Sequence, residues 1–425
     1  MRVGIIIEWF YPDNTGGTGP VVSDLARHLK DAYKDIEIDV ITSSNLYRDT
    51  DTSLPEEENW DGINIYRLKT AHQAGLSIIG RLFANLSFTF HVLSKLLRLG
   101  KYDLILTGTN PPMLAIAASA YKAITGTPFA YMIHDLEPDR SVTLRMFGKT
   151  HPFVTLFRIG QRSWLKSATR VIALGDCMRD YVVQAYNLPR SRVDVIHIGA
   201  NENAIVPGDR NSNFRKKNNI NGFVALYTGN FGRYHNFNTI LDAAKTLQNE
   251  KEEVQFVLVG AGNQKPHIIQ RVTDEQISNV KVFDFVPAEE YSDLLATADV
   301  SLVTLEPGME TLCLPSKFYT ILASARPVLA ILSAKSDVAM ITKEVNCGIQ
   351  VDQGSQEKMV EAIRWLISHP DERAAMGKNA REVFLNRFAT NIIAEQYYKT
   401  FSQISANTET EMQTGAGQVQ AEARR

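Results

Sequence analysis

The chain has 425 residues, 44% of them hydrophobic, enough for two ordinary cores at roughly 100–200 residues per domain. A net charge of −2 argues against a molecule built to cling to nucleic acid. The three cysteines, Cys177, Cys313 and Cys347, are scattered without metal-ligand spacing and read as those of a reduced intracellular protein lacking structural disulfides or zinc.

The first apolar run, 3–7, stops at Glu8 and reads as a strand rather than a secretion signal. It is followed by Asn14-Thr15-Gly16-Gly17-Thr18-Gly19-Pro20, and Pro20 opens a helix with Val21, Val22, Leu25 and Leu29 apolar. Glycines here would let backbone N–H groups approach an anion, while the plain alternative is a tight turn. The spacing matches neither the dinucleotide fingerprint nor a P-loop. Further strands are expected at 36–42, 63–68, 103–107, 129–134, 170–174 and 193–198. Continuous apolar runs such as Leu104-Ile105-Leu106 suit strands covered on both faces, hence a parallel, doubly wound sheet.

The segment 76–99 is the most membrane-like stretch, but Arg81, His91, Lys95 and Arg98 interrupt it. Within it, Ile79, Phe83, Leu86, Phe90, Leu93 and Leu97 recur at helical spacing and are expected to face the core. A second apolar set, Ile78, Phe88, Val92, Leu96 and Leu99, is left for another partner. The stretch 140–166 interleaves Arg140, Arg145, Lys149, Arg158, Arg162 and Lys166 with Phe147, Phe153, Phe157 and Trp164. Basic residues beside apolar ones at 75–101 and 140–166 suit an anionic membrane surface or a lipid-diphosphate acceptor; a buried helix with surface arginines is the plainer reading.

The pattern weakens over 199–222, which marks the domain boundary. A second series follows, with strands at 223–228, 255–259, 280–285, 300–305 and 327–331. Helices are expected at 238–248, 288–296, 316–325, 356–368, 370–386 and 390–404. The N-terminal domain is thus 1–203, completed by the helix 390–404, and the C-terminal domain is 220–389. The polar tail 405–425 is expected to be disordered.

In open parallel sheets ligands collect beyond the carboxyl ends of the strands. Three further loops stand there. His134-Asp135-Leu136-Glu137-Pro138-Asp139 places two ionisable groups at a strand end, or else is a solvated loop with a capping Asp. Thr228-Gly229-Asn230-Phe231-Gly232-Arg233-Tyr234-His235 could cradle a diphosphate. In Leu314-Pro315-Ser316-Lys317, Ser316 is a good N-cap and Lys317 follows in the first turn, where a cation opposes the helix dipole unless an anion meets it.

Together these residues, with Phe318-Tyr319 and Ala323-Ser324-Ala325-Arg326-Pro327-Val328, resemble the family-4 retaining glycosyltransferases of the GT-B fold. The nearest subgroup is the bacterial enzymes of O-antigen, colanic acid and exopolysaccharide synthesis. The resemblance covers about 1–404 and implies two Rossmann-like domains facing across a cleft, with the nucleotide-sugar donor held mainly by the C-terminal half. It assigns Gly17 and Gly19 to the donor phosphate and sugar, and His134 to the transferring sugar with Asp135 beside it. Gly229, Asn230, Gly232, Arg233, Ser316 and Lys317 fall in the diphosphate region, and Val286 within Phe285-Val286-Pro287 in the base-holding loop. The common pattern's Arg and Lys are replaced by Asn230 and His235, and its two glutamates by Leu312 and Thr320. Glu306 and Glu310 lie nearby, and Glu310 is the preferred substitute.

The reaction implied is transfer from a UDP- or GDP-sugar to a hydroxyl, on a saccharide or a polyprenyl-diphosphate-linked acceptor, with retention and front-face attack. No metal and no resident cofactor is implied. A cytoplasmic protein, with peripheral contact to the inner membrane face, is the expected setting. A GT-B epimerase, a Rossmann oxidoreductase and a non-catalytic GT-B partner are the rival readings; the missing dinucleotide fingerprint opposes the second.

Overall fold

The computed structural model describes residues 1–13, 18–46, 54–70 and 77–422, with side chains described except at 78, 79 and 408–422. The chain divides into two compact units. The first comprises Met1–Pro138, Lys149–His197 and the chain from Thr390, and the second Asp139–Gly148 with Ile198–Ala389.

The first unit is built from β1 (Arg2–Ile6), α1 (Gly19–Ala32), β2 (Glu37–Ser43), β3 (Glu57–Trp60), β4 (Ile63–Leu68), α2 (Ile78–Leu99), β5 (Leu104–Gly108), α3 (Leu114–Thr125) and β6 (Phe129–Ile133). A short α4 (Asp139–Thr143) intervenes, and α5 (Pro152–Ser167), β7 (Arg170–Ala173), α6 (Asp176–Tyr186) and β8 (Val193–Val195) follow. The sheet order is β3-β4-β2-β1-β5-β6-β7-β8, with β1 flanked in parallel by β2 (Val3 opposite Ile38) and β5 (Val3 opposite Leu104). The apolar runs of these central strands are buried, as strands covered on both faces require. The one departure from a parallel sheet is the edge strand β3, antiparallel to β4. Its sequence Glu-Glu-Asn-Trp has no apolar alternation. The signal that marks it is Asp61-Gly62, both at positive φ, a two-residue hairpin turn that fits the twist of the paired strands.

Helix α2 corrects an expectation about its faces. Phe88, Val92 and Leu96, spaced i, i+4, i+8, are the buried stripe, and Phe88 is 3% exposed. Phe83 and Phe90 are 67% and 69% exposed, and Leu86 and Leu97 also face solvent. Both stripes are apolar, so periodicity alone could not choose between them. The choice falls to the packing of α2 on β2, β4 and α3. The side chains of Ile78 and Ile79 lie outside the described set.

The second unit contains α7 (Asn213–Lys217), β9 (Phe223–Thr228), α8 (Asn238–Asn249), β10 (Val254–Val259), α9 (Lys265–Asp274), β11 (Val280–Phe283), α10 (Tyr291–Ala296) and β12 (Val300–Thr304). It ends with α11 (Lys317–Ala323), β13 (Val328–Ile331), α12 (Asp337–Glu344), β14 (Gly348–Val351), α13 (Gln356–Ser368) and α14 (Pro370–Val383). All six strands run parallel in the order β11-β10-β9-β12-β13-β14. The edge strand β14, absent from the sequence reading, is only four residues long. Residues 139–148 group with this unit and not with the 1–203 domain expected to hold them. Arg140 sits 5.9 Å from the Tyr234 ring centroid.

The last helix, α15 (Thr390–Glu422), belongs to the first unit. Its stripe Ile393, Tyr397, Phe401 and Ile404 joins the core of β1, β2 and α1. Tyr398 stacks on Tyr33 at 3.6 Å and its hydroxyl donates to Asp35 at 2.8 Å. The helix is described as far as Glu422.

Candidate functional site

A doubly wound sheet opens a crevice where its strand order reverses. In the second unit that reversal lies between β9 and β12. Strand β9 delivers the loop 229–237, and β12 delivers the loop that leads into α11 and Lys317.

Lys317 is 8% exposed, so its head group points inward and not to solvent. Its Nζ donates to the Tyr227 hydroxyl and lies 3.9 Å from the Tyr227 ring centroid. It also stands 3.5 Å from His235 Nε2. His235 is buried, and its Nδ1 lies 2.7 Å from the Thr304 carbonyl. A carbonyl only accepts, so Nδ1 carries the proton and Nε2 presents a lone pair to Lys317. Burial, and secondarily the charge of Lys317, hold His235 well below the ordinary histidine range. Burial likewise lowers the Lys317 ammonium well below its usual range and raises the Tyr227 phenol. Among the described contacts the hydrogen-bond partners of this buried cation are a phenol and an imidazole.

The glycines fit this site closely. Gly229 has φ +124°, and a Cβ there would sit 3.2 Å from Lys317 Cε. A Cβ at Gly260, after β10, would lie 1.9 Å from the Gly229 carbonyl oxygen, so the two loops interlock backbone to backbone. Phe231 N–H donates to the Ala261 carbonyl at 2.8 Å, and Gln264 Nε2 donates to the carbonyls of Gly232 and His235 at 2.6 and 2.8 Å. Asn230 and Arg233 are exposed on the outer side of the loop, and Gly232 is buried. Val286 lies half-buried in the loop after β11.

One expectation at this site needs correction. Ser316 holds the N-cap position of α11 but has helical φ and ψ, is exposed, and makes no side-chain capping hydrogen bond. Glu310, the expected substitute for the family glutamates, accepts from Gln353 at 2.8 Å. Glu306 accepts from Asn236 at 3.1 Å. Leu312 is buried, and Thr320 donates to the Lys317 carbonyl at 2.9 Å while meeting Tyr291 at 3.3 Å.

In the first unit the strand order reverses between β1 and β5. Glu8 N–H donates to the Asn110 carbonyl at 3.1 Å, and Asn110 Nδ2 to Thr18 at 3.2 Å, joining the loops after these strands. Gly19 opens α1 against Trp9, whose carbonyl would be 3.3 Å from an added Cβ. That approach explains the glycine by packing. Gly17 lies outside the described residues. His134 follows β6, and its backbone N–H donates to Thr109 Oγ1 at 3.1 Å; Asp135 N–H reaches the same oxygen at 3.3 Å. Burial lowers His134 to about 4, and its buried Nε2 has no hydrogen-bond partner among the described residues. A neutral imidazole with an unused nitrogen is suited to receive or donate one hydrogen bond to a ligand hydroxyl.

Sequence reasoning named Lys317 and the 229–235 loop but missed the partners that seat them. Tyr227 looked like one more apolar strand residue. Val259-Gly260-Ala261-Gly262 carries the same strand-then-glycine signal as the loops chosen and could have been found by it. Among the described residues no three His, Cys, Asp or Glu side chains form a metal-ligand group.

Comparison with known proteins accounts for both halves. Residues 16–199 match the glycosyl transferase 4-like domain, and 209–383 match glycosyl transferases group 1. The chain is 28% identical over 247 residues to the "Probable glycosyltransferase WbjE" of Pseudomonas aeruginosa, covering 58% of this chain and 61% of that relative. It thus spans about three fifths of that relative's length. It is 24% identical over 175 residues to the "Putative colanic acid biosynthesis glycosyl transferase WcaI" of Escherichia coli, covering 40% and 42% of the two chains. In fold it is similar to sucrose-phosphate synthase from Thermosynechococcus elongatus, with a TM-score of 0.77, 18% identity and coverage of 96% and 100%. Anabaena HepE in complex with UDP and glucose gives a TM-score of 0.72 at 19% identity, covering 95% and 100%. Two parallel α/β units, matched in order by two glycosyltransferase domains, place the chain in the family-4 glycosyltransferases of the GT-B fold.

Proposed function

We propose that this glycosyltransferase moves a glycosyl unit from a UDP- or GDP-sugar to a hydroxyl of a lipid-linked saccharide, with retention, in the synthesis of a surface polysaccharide. The observation that carries the reading is Lys317, a buried ammonium with neutral partners at the strand reversal of the second unit. A diphosphate supplies the missing counter-charge. A polysaccharide role is supported by the colanic acid relative, and a UDP-sugar donor by the neighbour solved with UDP and glucose.

In this mechanism the bond from the anomeric carbon to the diphosphate oxygen breaks, and the acceptor oxygen bonds the same face of that carbon. The acceptor proton passes to the departing phosphate. Negative charge grows on the diphosphate as it leaves, and a preorganised cation stabilises that change more than it stabilises the bound donor. Lys317 fills that role, with the Gly229 loop beside it and Arg233 on the exposed side. His134, neutral, orients the transferring sugar. Asp135 stands next to it on the Thr109 hydroxyl.

The lipid-linked acceptor is supported by the first unit's surface. Helix α3 packs against both α2 and α5. Phe83, Leu86, Phe90 and Leu97 on α2, with Leu156 and Ile159 on α5, are exposed. Arg81, Arg98, Arg162 and Lys166 are exposed on the same two helices. Exposed apolar side chains and cations on the same helices suit an anionic lipid surface. Among the described residues no helix is long and apolar enough to cross a membrane, so the contact proposed is peripheral.

Three outcomes test this reading. Lys317→Ala should weaken UDP or GDP binding in calorimetry and slow turnover, with a loss of about 2–4 kcal/mol of transition-state stabilisation; unchanged affinity and rate in a folded variant would remove Lys317 from the site. His134→Ala should reduce turnover far more than affinity for the bare nucleoside diphosphate, whereas equal losses would point to damage of the fold. The protein should pellet with phosphatidylglycerol vesicles and be released by high salt. The double change Phe83→Ser with Phe90→Ser should abolish pelleting without altering the far-UV spectrum. Wild type that ignores the vesicles would assign the exposed stripe no lipid partner and favour a soluble acceptor.

A further inference from the structure

Lys317 carries three N–H donors, and the structure orients acceptors for two of them. The Tyr227 hydroxyl donates to the Asn230 carbonyl at 2.9 Å, which leaves its oxygen to accept from Lys317. His235 donates from Nδ1 to the Thr304 carbonyl at 2.7 Å, which leaves Nε2 to accept. Each aiming carbonyl lies at the carboxyl end of a strand: Thr304 closes β12, and Asn230 follows β9. Two backbone carbonyls therefore turn two neutral side chains into acceptors converging on one ammonium. The third donor has no protein acceptor among the described contacts.

We propose that His235 is a positioning residue for Lys317: fixed in one tautomer by Thr304, it holds the lysine head group with one N–H left for a diphosphate oxygen. This rests on the reading of Lys317 as the diphosphate-binding cation. It also accounts for the chain's departure from the family pattern at this position. A second lysine would repel Lys317 in a buried site, whereas a neutral imidazole supports it. The groups facing the cluster agree with that role. Tyr227 comes from β9, Tyr234 from the same loop as His235, Cys313 from the loop before α11, and Tyr291 from α10 by way of Thr228 and Thr320. The nearby carboxylate of Glu306 is engaged by Asn236. Among the described contacts no carboxylate pairs with Lys317.

The test uses three replacements that separate the two hydrogen bonds. His235→Phe keeps the ring packing and loses both bonds, His235→Asn can keep the bond to Thr304, and His235→Gln can return an acceptor to Lys317. UDP and GDP binding is measured by calorimetry, each alone and in a Lys317→Ala background. His235→Phe should weaken binding of the nucleotide that wild type takes by about tenfold, the scale of one lost hydrogen bond to a charged group. His235→Gln should recover most of it, His235→Asn should not, and none should have an effect once Lys317 is alanine. Wild-type affinity in His235→Phe, rescue by Asn equal to Gln, or additive losses with Lys317→Ala would overturn the proposal. A readout without nucleotide accompanies it. In 15N NMR of histidine, His235 should show a protonated Nδ1 and a bare Nε2 at neutral pH, with the Nε2 resonance moved by Lys317→Ala. The opposite tautomer, or a resonance indifferent to Lys317, would overturn it even where neither nucleotide binds. If Lys317→Ala leaves nucleotide affinity unchanged while the NMR result holds, the diphosphate reading fails and the positioning role stands.

Discussion

Burying an ammonium is expensive unless something returns the solvation that water gave it. Lys317 is buried with a phenol and an imidazole as its partners, neither of which carries a charge at neutral pH. Such an arrangement lowers the lysine's affinity for its own proton, and it makes an anionic ligand the natural completion of the site. The rest of the second unit can be understood as the scaffold that keeps this unfinished charge in place. Thr304 and Asn230 aim the acceptors, Gln264 ties Gly232 and His235 together, and Gly260 lets two loops lie in backbone contact beneath them.

The position of that charge follows from topology. Parallel strands linked by helices leave all their following loops at one end, and only where the order reverses do neighbouring loops diverge enough to admit a ligand. In the second unit the reversal lies between β9 and β12, the two strands that deliver His235 and Lys317. Lys317 and His235 are 82 positions apart in sequence, so their meeting is a property of the sheet and not of any local motif. In the first unit the same logic joins the loops after β1 and β5 through Asn110 and Thr18, with His134 just after the neighbouring strand β6.

Much of this was legible in the residues, and the failures share a cause. Near-continuous apolar runs such as 104–106 announce strands buried on both faces, and the turn from β-rich runs to helical periodicity marks each crossover. Lys317 stood out because a first-turn lysine is locally unfavourable. Its burial and its partners were not visible, since Tyr227 on β9 has the composition of core and His235 lies in a loop that glycines dominate. The Gln353 partner of Glu310 was not visible either, since it follows β14, an edge strand that four residues do not announce. Helix α2 failed in the same way. A helix apolar on two faces states that it has two environments, and only the neighbours β2, β4 and α3 decide that Phe88 goes in and Phe83 stays out.

The claim that unites these features is that a donor diphosphate completes the Lys317 cluster. A crystal structure of the protein with UDP tests it most directly, because it shows where the third N–H of Lys317 goes. The account predicts a phosphate oxygen within hydrogen-bond distance of Lys317 Nζ, with the Tyr227 and His235 contacts retained. A diphosphate bound elsewhere, with Lys317 still enclosed between Tyr227 and His235, would contradict it.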